Sequence, residues 1–472
     1  MRIVFVHGWS VSNTNTYGGL PEALAKHAPA SLAVEVQHLY LAKYVSFADE
    51  VSVEDIARGM QHAIEAEVRP KLAAGERFAC ITHSTGGPVV RKWIDLVYRG
   101  TLSTCPLGHL VMLAPANHGS ALAQLGKGRL SRMKSLIADG VEPGTGVLDW
   151  LELGSSQSWD LNAEWLGYDC VTSGLFPFVL TGQSIDRSLY DNLNSYTDEA
   201  GSDGVVRAAA ANLNYGKIRM VQREDQLVLD DEHVSLPTAF GVLPGLAHSG
   251  EKIGIMRSVK PTGPRTHPTL KWTLKCLGVD SADSYAAVSA ELATLTAETQ
   301  EKERVEEVTR GFLFTRTFYT DRYSMLVLRL RDDRGNTLKD YDLLFTAGAK
   351  YDPNHLPAGF FVDRQRNSIT PGTLTYYVNH DKLVPSDPKD PMKGKFGLKV
   401  VARPSEGFAY YTVAEYRGTF EELSGYLKPN QTLMIDIVLE RHVTEGVFRL
   451  TQDLAPEDFR KQAKGGELPE TP

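Results

Sequence analysis

One stretch decides the fold of this chain: Phe78-Ala79-Cys80-Ile81-Thr82-His83-Ser84-Thr85-Gly86-Gly87. Its first half is an apolar strand that ends at a single serine, and its two glycines open a helix. This order is typical of a nucleophile elbow, the sharp strand-to-helix turn that lifts a serine hydroxyl clear of a sheet. Small residues are needed two positions before and after the serine, because the two backbones nearly touch there. Gly86 meets this need and Thr82 meets it poorly, so an ordinary buried strand before a glycine turn is the alternative.

The N-terminus favours the elbow. The chain starts with Met1-Arg2-Ile3-Val4-Phe5-Val6, the pattern of a buried strand, and continues at once with His7-Gly8-Trp9. In folds built around such an elbow, a strand followed by His-Gly carries the loop that supplies one oxyanion-hole amide, and the residue after the serine supplies the other. We therefore predict that the backbone N–H groups of Trp9 and Thr85 form the oxyanion hole.

A serine hydroxyl becomes a nucleophile when a histidine takes its proton and an acid orients that histidine. With an elbow of this type the acid follows the serine and the histidine comes last. Asp203 lies in Gly201-Ser202-Asp203-Gly204-Val205-Val206, a glycine turn before a β-branched pair. We predict Asp203 as the acid, and an Asp-Gly turn without a catalytic role is the alternative. Three other acids lie closer to the preceding strand and lack this turn: Asp186, Asp191 and Asp198.

Three later histidines are candidates for the base. His248 lies in Leu246-Ala247-His248-Ser249-Gly250, where small neighbours leave room for a side chain to face a pocket. His233 follows the acidic run Asp230-Asp231-Glu232, whose composition is typical of a solvated loop. His267 precedes Pro268 at the start of a helix, a position that favours a capping role. We therefore predict His248 as the general base.

These motifs, with the strand Leu110–Pro115 that leads into Asn117-His118-Gly119-Ser120, resemble lipases of the α/β-hydrolase superfamily. The nearest resemblance is to the PGAP1-like lipases and esterases, which include bacterial phospholipase effectors. It covers roughly residues 1–280 and implies an α/β-hydrolase fold with a mainly parallel sheet. Thr82 is the main departure from the family pattern. We predict no cofactor and no metal.

The hydrolase region carries an insertion at about residues 120–175 that is rich in tryptophan and leucine. It is predicted to be a helical cap, or a lid whose apolar face meets lipid. The residues assigned to substrate or lid contacts are Trp150, Trp159 and Trp165. A basic cluster in the insertion could meet anionic headgroups or could form a solvated helix face: Lys127, Arg129, Arg132 and Lys134.

Composition sets the remaining limits. A chain of 472 residues suggests two or three domains, and its net charge of −8 argues against a nucleic-acid partner. The four cysteines lie far apart and none falls in a metal-ligand pair; Cys80 and Cys276 fit core patterns. No segment suggests a membrane span or a leader peptide. We expect a cytoplasmic protein, or one exported by a secretion system that does not read a leader.

Past residue 280 the pattern changes. The pattern predicts a linking helix over residues 281–310. It predicts an antiparallel β-sandwich of about seven or eight short strands over residues 311–455, followed by a polar tail at 456–472. The loop Ser386-Asp387-Pro388-Lys389-Asp390-Pro391 holds only two acids, Asp387 and Asp390, and two prolines, which favours a surface loop over a calcium site. Docking, partner recognition and stabilisation are all open roles for the sandwich.

The sequence therefore predicts a serine hydrolase that cleaves carboxylic esters of lipids through Ser84, Asp203 and His248. A soluble carboxylesterase or acyltransferase is one alternative, and a non-catalytic hydrolase-like binding protein is another. Expected partners are the lipid or ester substrate, a membrane surface, and a delivery or inhibitor protein that contacts the sandwich or the cap.

Overall fold

The computed structural model describes residues 1–6, 17–32, 34–39, 51–124, 145–185, 199–302, 305–310, 314–319, 321–383, 394–445 and 447–448. The strands are β1 (Arg2–Val6), β2 (Glu35–Leu39), β3 (Phe78–His83), β4 (Leu107–Leu113), β5 (Phe176–Thr181), β6 (Tyr215–Arg223), β7 (Gln226–Val234), β8 (Ala239–Val242), β9 (Val305–Arg310), β10 (Phe314–Tyr319), β11 (Tyr323–Asp332), β12 (Tyr341–Ala347), β13 (Phe361–Arg366), β14 (Thr373–Asn379), β15 (Lys395–Ala402), β16 (Ala409–Tyr410), β17 (Ala414–Thr419), β18 (Thr432–Leu439) and β19 (His442–Val443). The α-helices are α1 (Leu20–His27), α2 (Val53–Ala63), α3 (Gly86–Tyr98), α4 (Thr145–Leu151), α5 (Ser156–Trp165), α6 (Ala208–Ala211), α7 (Pro268–Leu277), α8 (Ala282–Lys302) and α9 (Phe420–Ser424).

A parallel sheet forms the first half of the molecule, in the order β2-β1-β3-β4-β5-β8. Its strands are apolar on both faces because helices cover both faces. On β3, Phe78 and Cys80 pack into the core that contains α2 and α3, whereas Ala79 and Ile81 pack into the core that contains α1, α7 and α8. The predicted α/β-hydrolase fold with its mainly parallel sheet is confirmed.

The helix predicted as a linker, α8, covers the outer edge of this sheet. The Ala239 N–H of the edge strand β8 donates to the Tyr285 hydroxyl at 2.9 Å, and the Val242 N–H donates to Thr296 Oγ1 at 3.0 Å. Side chains of α8 therefore satisfy backbone groups that an edge strand would leave open. The helix is part of the hydrolase, and the strand β9 already begins at Val305, inside the predicted linker range.

A second sheet follows, and it differs from the predicted antiparallel sandwich. It is a single mixed sheet of nine strands in the order β12-β15-β17-β7-β6-β18-β11-β14-β13. The sheet curls until its two edge strands approach, with the rings of Phe345 on β12 and Phe361 on β13 5.3 Å apart. The hairpin β6–β7, from within the predicted hydrolase range, enters the middle of the sheet and pairs in parallel with β18 and β17; β18 also pairs in parallel with β11.

The two faces of the second sheet have different neighbours. Met325 and Val327 of β11 pack into the same core as α3 and α5, whereas Leu326 and Leu328 pack into the second sheet's own core. This alternation follows from the period of two in a strand. One face of the second sheet therefore lies against the hydrolase, on the side where the insertion packs.

The described part of the insertion is a buried helical cap. Trp150 on α4, and Trp159 and Trp165 on α5, are 3–5% exposed and share the core of α2 and α3. The Arg329 guanidinium of the second sheet lies 4.5 Å above the Trp159 ring. This burial is what a cap predicts, and a role of the three tryptophans in substrate contact stays a prediction. The basic cluster lies outside the described residues: Lys127, Arg129, Arg132 and Lys134.

Two absences hold for the residues that the structure describes. Among them, no helix is both long enough and apolar enough to span a bilayer. They also contain no group of three or more His, Cys, Asp or Glu side chains suited to a metal ion. Cys80 and Cys276 are fully buried, as their core patterns predict. The Asp387–Asp390 loop lies outside the described ranges.

Candidate active site

Ser84 occupies the turn between β3 and α3 with a φ of 53°. This left-handed conformation is costly for a residue with a side chain, so it persists only where its surroundings hold it. Two backbone hydrogen bonds do so: the Ser84 N–H donates to the Leu113 carbonyl at 3.1 Å, and the Ala116 N–H donates to the Ser84 carbonyl at 3.3 Å. The strained serine between a parallel strand and a helix has the geometry of a nucleophile elbow.

Gly87 is a point of close approach in the elbow. A Cβ atom on Gly87 would be only 2.8 Å from the Pro115 Cβ, so any side chain there would force the helix away from the segment that follows β4. Thr82, the departure from the family pattern, is 1% exposed, and its hydroxyl has no hydrogen-bond partner within the described chain. The strand thus accommodates a β-branched residue before the serine. The second glycine of the motif, Gly87, lies where a side chain would clash with Pro115.

The expected oxyanion donors are described only in part. Thr85 is buried directly after the serine, and its N–H donates to no acceptor in the portion of the chain that the structure covers. An amide in this position is free to donate to a developing oxyanion. Trp9 lies outside the described residues, together with His7 and Gly8.

Asp203 and His248 are brought together. His248 Nδ1 lies 2.9 Å from Asp203 Oδ2, and the His248 backbone N–H donates to the Asp203 carbonyl at 2.9 Å. The other carboxylate oxygen accepts from the Val205 N–H at 3.0 Å and the Val206 N–H at 2.8 Å. Asp203 is fully buried and His248 is 6% exposed. A carboxylate held on Nδ1 favours the tautomer that leaves Nε2 free to accept a proton.

The other candidate histidines lie elsewhere. His233 is on the exposed strand β7, where its Nε2 is 3.0 Å from Asp231 Oδ2. His267 caps the N-terminus of α7, and its Nε2 is 3.0 Å from the hydroxyl of Ser258. Neither contacts Asp203 in the described structure. The acids Asp186, Asp191 and Asp198 lie outside the described residues.

His83, which no sequence motif singles out, joins the serine turn to the histidine loop. Its Nε2 is 3.1 Å from the His248 carbonyl oxygen, and the two rings are 4.7 Å apart. Because His83 directly precedes Ser84, this contact places His248 beside the elbow. In this structure the Ser84 hydroxyl and His248 do not hydrogen-bond, a gap that is common before substrate is bound. The position next to the serine was the available signal.

A buried polar layer ties the segment after β4 to the cap. The Arg91 guanidinium of α3 is fully buried, donates to Asn162 Oδ1 at 2.9 Å and to Asn117 Oδ1 at 3.3 Å, and lies 4.7 Å above the Trp165 ring. Burial lowers its pKa to about 10. Ser120, in the same segment, donates to the Val205 carbonyl at 2.6 Å. The segment that resembles the family thus contacts both the cap and the loop that carries Asp203.

Solved structures provide the comparison with known proteins. Phospholipase PlaB from Legionella pneumophila, in complex with thio-NAD, is 49% identical with a TM-score of 0.90, over 97% of this chain and 98% of that chain. A second PlaB structure has the same identity and coverage and a TM-score of 0.89. Lipase BlEst2 from Bacillus licheniformis matches 45% of this chain and 78% of its own at 13% identity, with a TM-score of 0.32. A scan against models of protein families and a search of curated proteins find no match.

Proposed function

Because this chain belongs to the family of the Legionella phospholipase PlaB, we propose that it hydrolyses carboxylic esters of lipids with Ser84 as nucleophile. The observation that carries the assignment of residues is the buried Asp203–His248 pair beside the strained elbow. Pairing a carboxylate with Nδ1 of a histidine near an elbow serine provides an activated nucleophile, which a purely binding protein does not need.

The proposed reaction follows from this geometry. His248 Nε2 accepts the Ser84 proton as the hydroxyl oxygen attacks the ester carbonyl, and Asp203 stabilises the imidazolium that forms. The Thr85 N–H, with the N–H of Trp9 as its expected partner, donates to the oxyanion. The tetrahedral intermediate expels the alcohol, which takes the proton from His248. Water then attacks the acyl-enzyme with His248 again as base, and releases the fatty acid.

Three substitutions test this mechanism. Ser84→Ala should abolish both phospholipid hydrolysis and labelling by a fluorophosphonate probe, since labelling needs an activated serine. Asp203→Asn and His248→Ala should each lower kcat by several orders of magnitude. Ser258→Ala is the matched control, because Ser258 also contacts a histidine, His267, whose Nδ1 has no hydrogen-bond partner among the described residues. It should retain full activity.

Each outcome separates the alternatives. An unlabelled wild-type protein would support the non-catalytic binding protein. Near-normal turnover of the His248 variant would move the base to His233 or His267. A protein that is labelled and hydrolyses short soluble esters, but no lipid in a panel of purified phospholipids, would be a carboxylesterase or acyltransferase.

The interactions that bring the enzyme to its substrate are proposals as well. We expect contact with a membrane surface, because lipid esters are presented there. A delivery or inhibitor protein that contacts the cap or the second sheet, and a cytoplasmic location, stay predictions. Vesicle co-sedimentation of the Ser84→Ala protein tests membrane contact without consuming the lipid.

A further inference from the structure

The segment that carries Asp203, residues 199–208, is here named the acid loop. Its residue Arg207 is 1% exposed. Within the loop, the Arg207 guanidinium donates to both carboxylate oxygens of Glu199 at 2.8 Å. From outside the loop, Asp363 on β13 accepts from the same guanidinium at 2.5 Å, and the Tyr377 ring on β14 lies 4.2 Å below it. The second sheet thus contacts one end of the acid loop through a buried cation.

The other end of the acid loop also lies against the second sheet. The Tyr377 hydroxyl donates to the Ala200 carbonyl at 2.9 Å. Gly201 has a φ of +72°, and a Cβ atom there would be 2.5 Å from the Tyr377 hydroxyl and 2.7 Å from the Tyr323 ring. Only glycine fits between this backbone and the two rings. One side chain, Tyr377, therefore contacts both ends of the loop.

Asp203 lies between these two anchored ends. The Ala208 N–H donates to the Gly201 carbonyl at 2.9 Å, which closes the loop, and the Asp203 N–H donates to the Val206 carbonyl at 3.2 Å. The amides that orient the Asp203 carboxylate belong to Val205 and Val206, directly before Arg207. A shift of Arg207 would therefore move the donors that aim the carboxylate at His248.

Charge balance distinguishes Asp363 from Glu199. Within the acid loop, the buried Arg207 guanidinium already has an ion-pair partner, the Glu199 carboxylate. Asp363 adds a second carboxylate to the same guanidinium, and this one comes from the second sheet. Its contact fixes the loop relative to the sheet. Replacing it also leaves Arg207 paired.

We propose that the second sheet positions the catalytic acid: Asp363 and Tyr377, acting on Arg207 and Ala200, hold Asp203 in register with His248. The inference rests on the proposed roles of Asp203 and His248. It gives the sheet a part in the chemistry beyond stability. Asp363 and Tyr377 are positioning residues, because they contact neither substrate nor the reacting atoms.

Asp363→Asn and Tyr377→Phe, singly and together in the full chain, test the proposal. The first removes the charge and keeps an acceptor; the second keeps the ring and removes the hydroxyl. Ser368→Ala is the comparison variant: Ser368, beside the same sheet, donates to Glu152 of the cap at 2.7 Å, so its loss removes a contact of the sheet with the cap rather than one with Arg207 or Ala200. The readouts are kcat and KM on a short soluble ester, the rate constant of fluorophosphonate labelling, the thermal midpoint, and the far-downfield NMR signal of the His248 Nδ1–H in ¹⁵N-histidine-labelled protein.

The double variant should lose about tenfold in kcat and in labelling rate, the order found when groups that orient a catalytic ligand are removed, with KM within about twofold. The Nδ1–H signal should broaden or shift. The comparison variant should keep kcat, the labelling rate and the NMR signal at wild-type values. Wild-type kcat, labelling rate and NMR signal in folded variants would overturn the proposal, even if the thermal midpoint falls. If the double variant does not fold, the single variants decide by the same criteria. Failure of the proposed function is distinct, because it would leave wild-type protein unlabelled.

Discussion

Acid should destabilise this protein through His118, a buried histidine in the segment after β4. The His118 ring is edge-on to the Tyr215 ring at 4.8 Å, and its Nε2 has no hydrogen-bond partner in the described structure. Burial, and then the positive charge of Arg91, lower the pKa of His118 to about 3, against an opposing hydrogen bond to the Asn212 backbone. The folded protein therefore keeps this ring neutral well below the pH at which an unfolded chain protonates it.

The size of the effect follows from proton linkage. An unfolded histidine has a pKa of about 6.5, so between about pH 6.5 and 3 the unfolded state binds a proton that the folded state does not. The contribution of His118 is thus fully present above pH 6.5 and is lost as the pH falls toward 3. At pH 5, about 1.5 pH units below the pKa of the unfolded histidine, the unfolding free energy should be lower by about 2 kcal/mol.

Urea unfolding at pH 7.5 and pH 5.0 measures this loss. For wild-type protein and for His118→Asn, the change in unfolding free energy between the two pH values is measured. Comparing these two changes cancels any pH-independent cost of the substitution. Burial also lowers the pKa values of other histidines, which contribute equally to both proteins: His109, His267 and His380. The pH-dependent loss should be about 2 kcal/mol smaller in the variant.

His233→Asn, on the exposed strand β7, serves as a comparison for the loss of a histidine outside the core. A His118→Asn protein that loses as much stability on acidification as wild type would refute the argument. It would mean that the folded protein protonates His118 near pH 6.

Three further predictions concern the site and the cap. His83→Gln, which keeps a donor near the position of Nε2, should retain most of kcat, whereas His83→Leu should lose about tenfold at constant KM; equal losses would exclude a role for the donor. Thr82→Val removes a buried hydroxyl without a partner, so activity should persist and the urea-derived unfolding free energy should stay equal or rise by about 1 kcal/mol, while a decrease would reveal a missed acceptor. Single polar replacements of Trp150, Trp159 and Trp165 should each lower the unfolding free energy by about 3–5 kcal/mol. If the insertion is a static cap, each replacement should reduce hydrolysis of micelles and of a soluble ester equally. A selective loss on micelles would establish a lid.

The catalytic candidates could be predicted because their signals are local. A buried strand, a serine and two glycines fit within ten consecutive residues, and the Asp203 turn and the His248 loop each carry their own small-residue pattern. Packing constraints could not be predicted in the same way. The motif predicts a close approach at Gly86, and the structure shows one at Gly87, where the side chain of Pro115, in the segment after β4, lies near the helix. Arg207 is likewise an unremarkable arginine until Asp363 and Tyr377 fold against it.

The predicted domain boundary at residue 280 does not describe how the chain is divided between the two sheets, and the reason lies in the hairpin β6–β7. The acidic run Asp230-Asp231-Glu232 predicts a solvated loop, whereas in the structure these residues lie exposed on a strand that pairs with β6 and, at Gln226, with β17. The chain leaves the acid loop, passes through the short helix α6, joins the second sheet as β6, and returns to the first sheet as β8. The two sheets therefore share one continuous stretch of chain, and that stretch begins at the loop that carries Asp203. A protein cut at residue 280 would leave β6 without β18, and the acid loop without Asp363 and Tyr377.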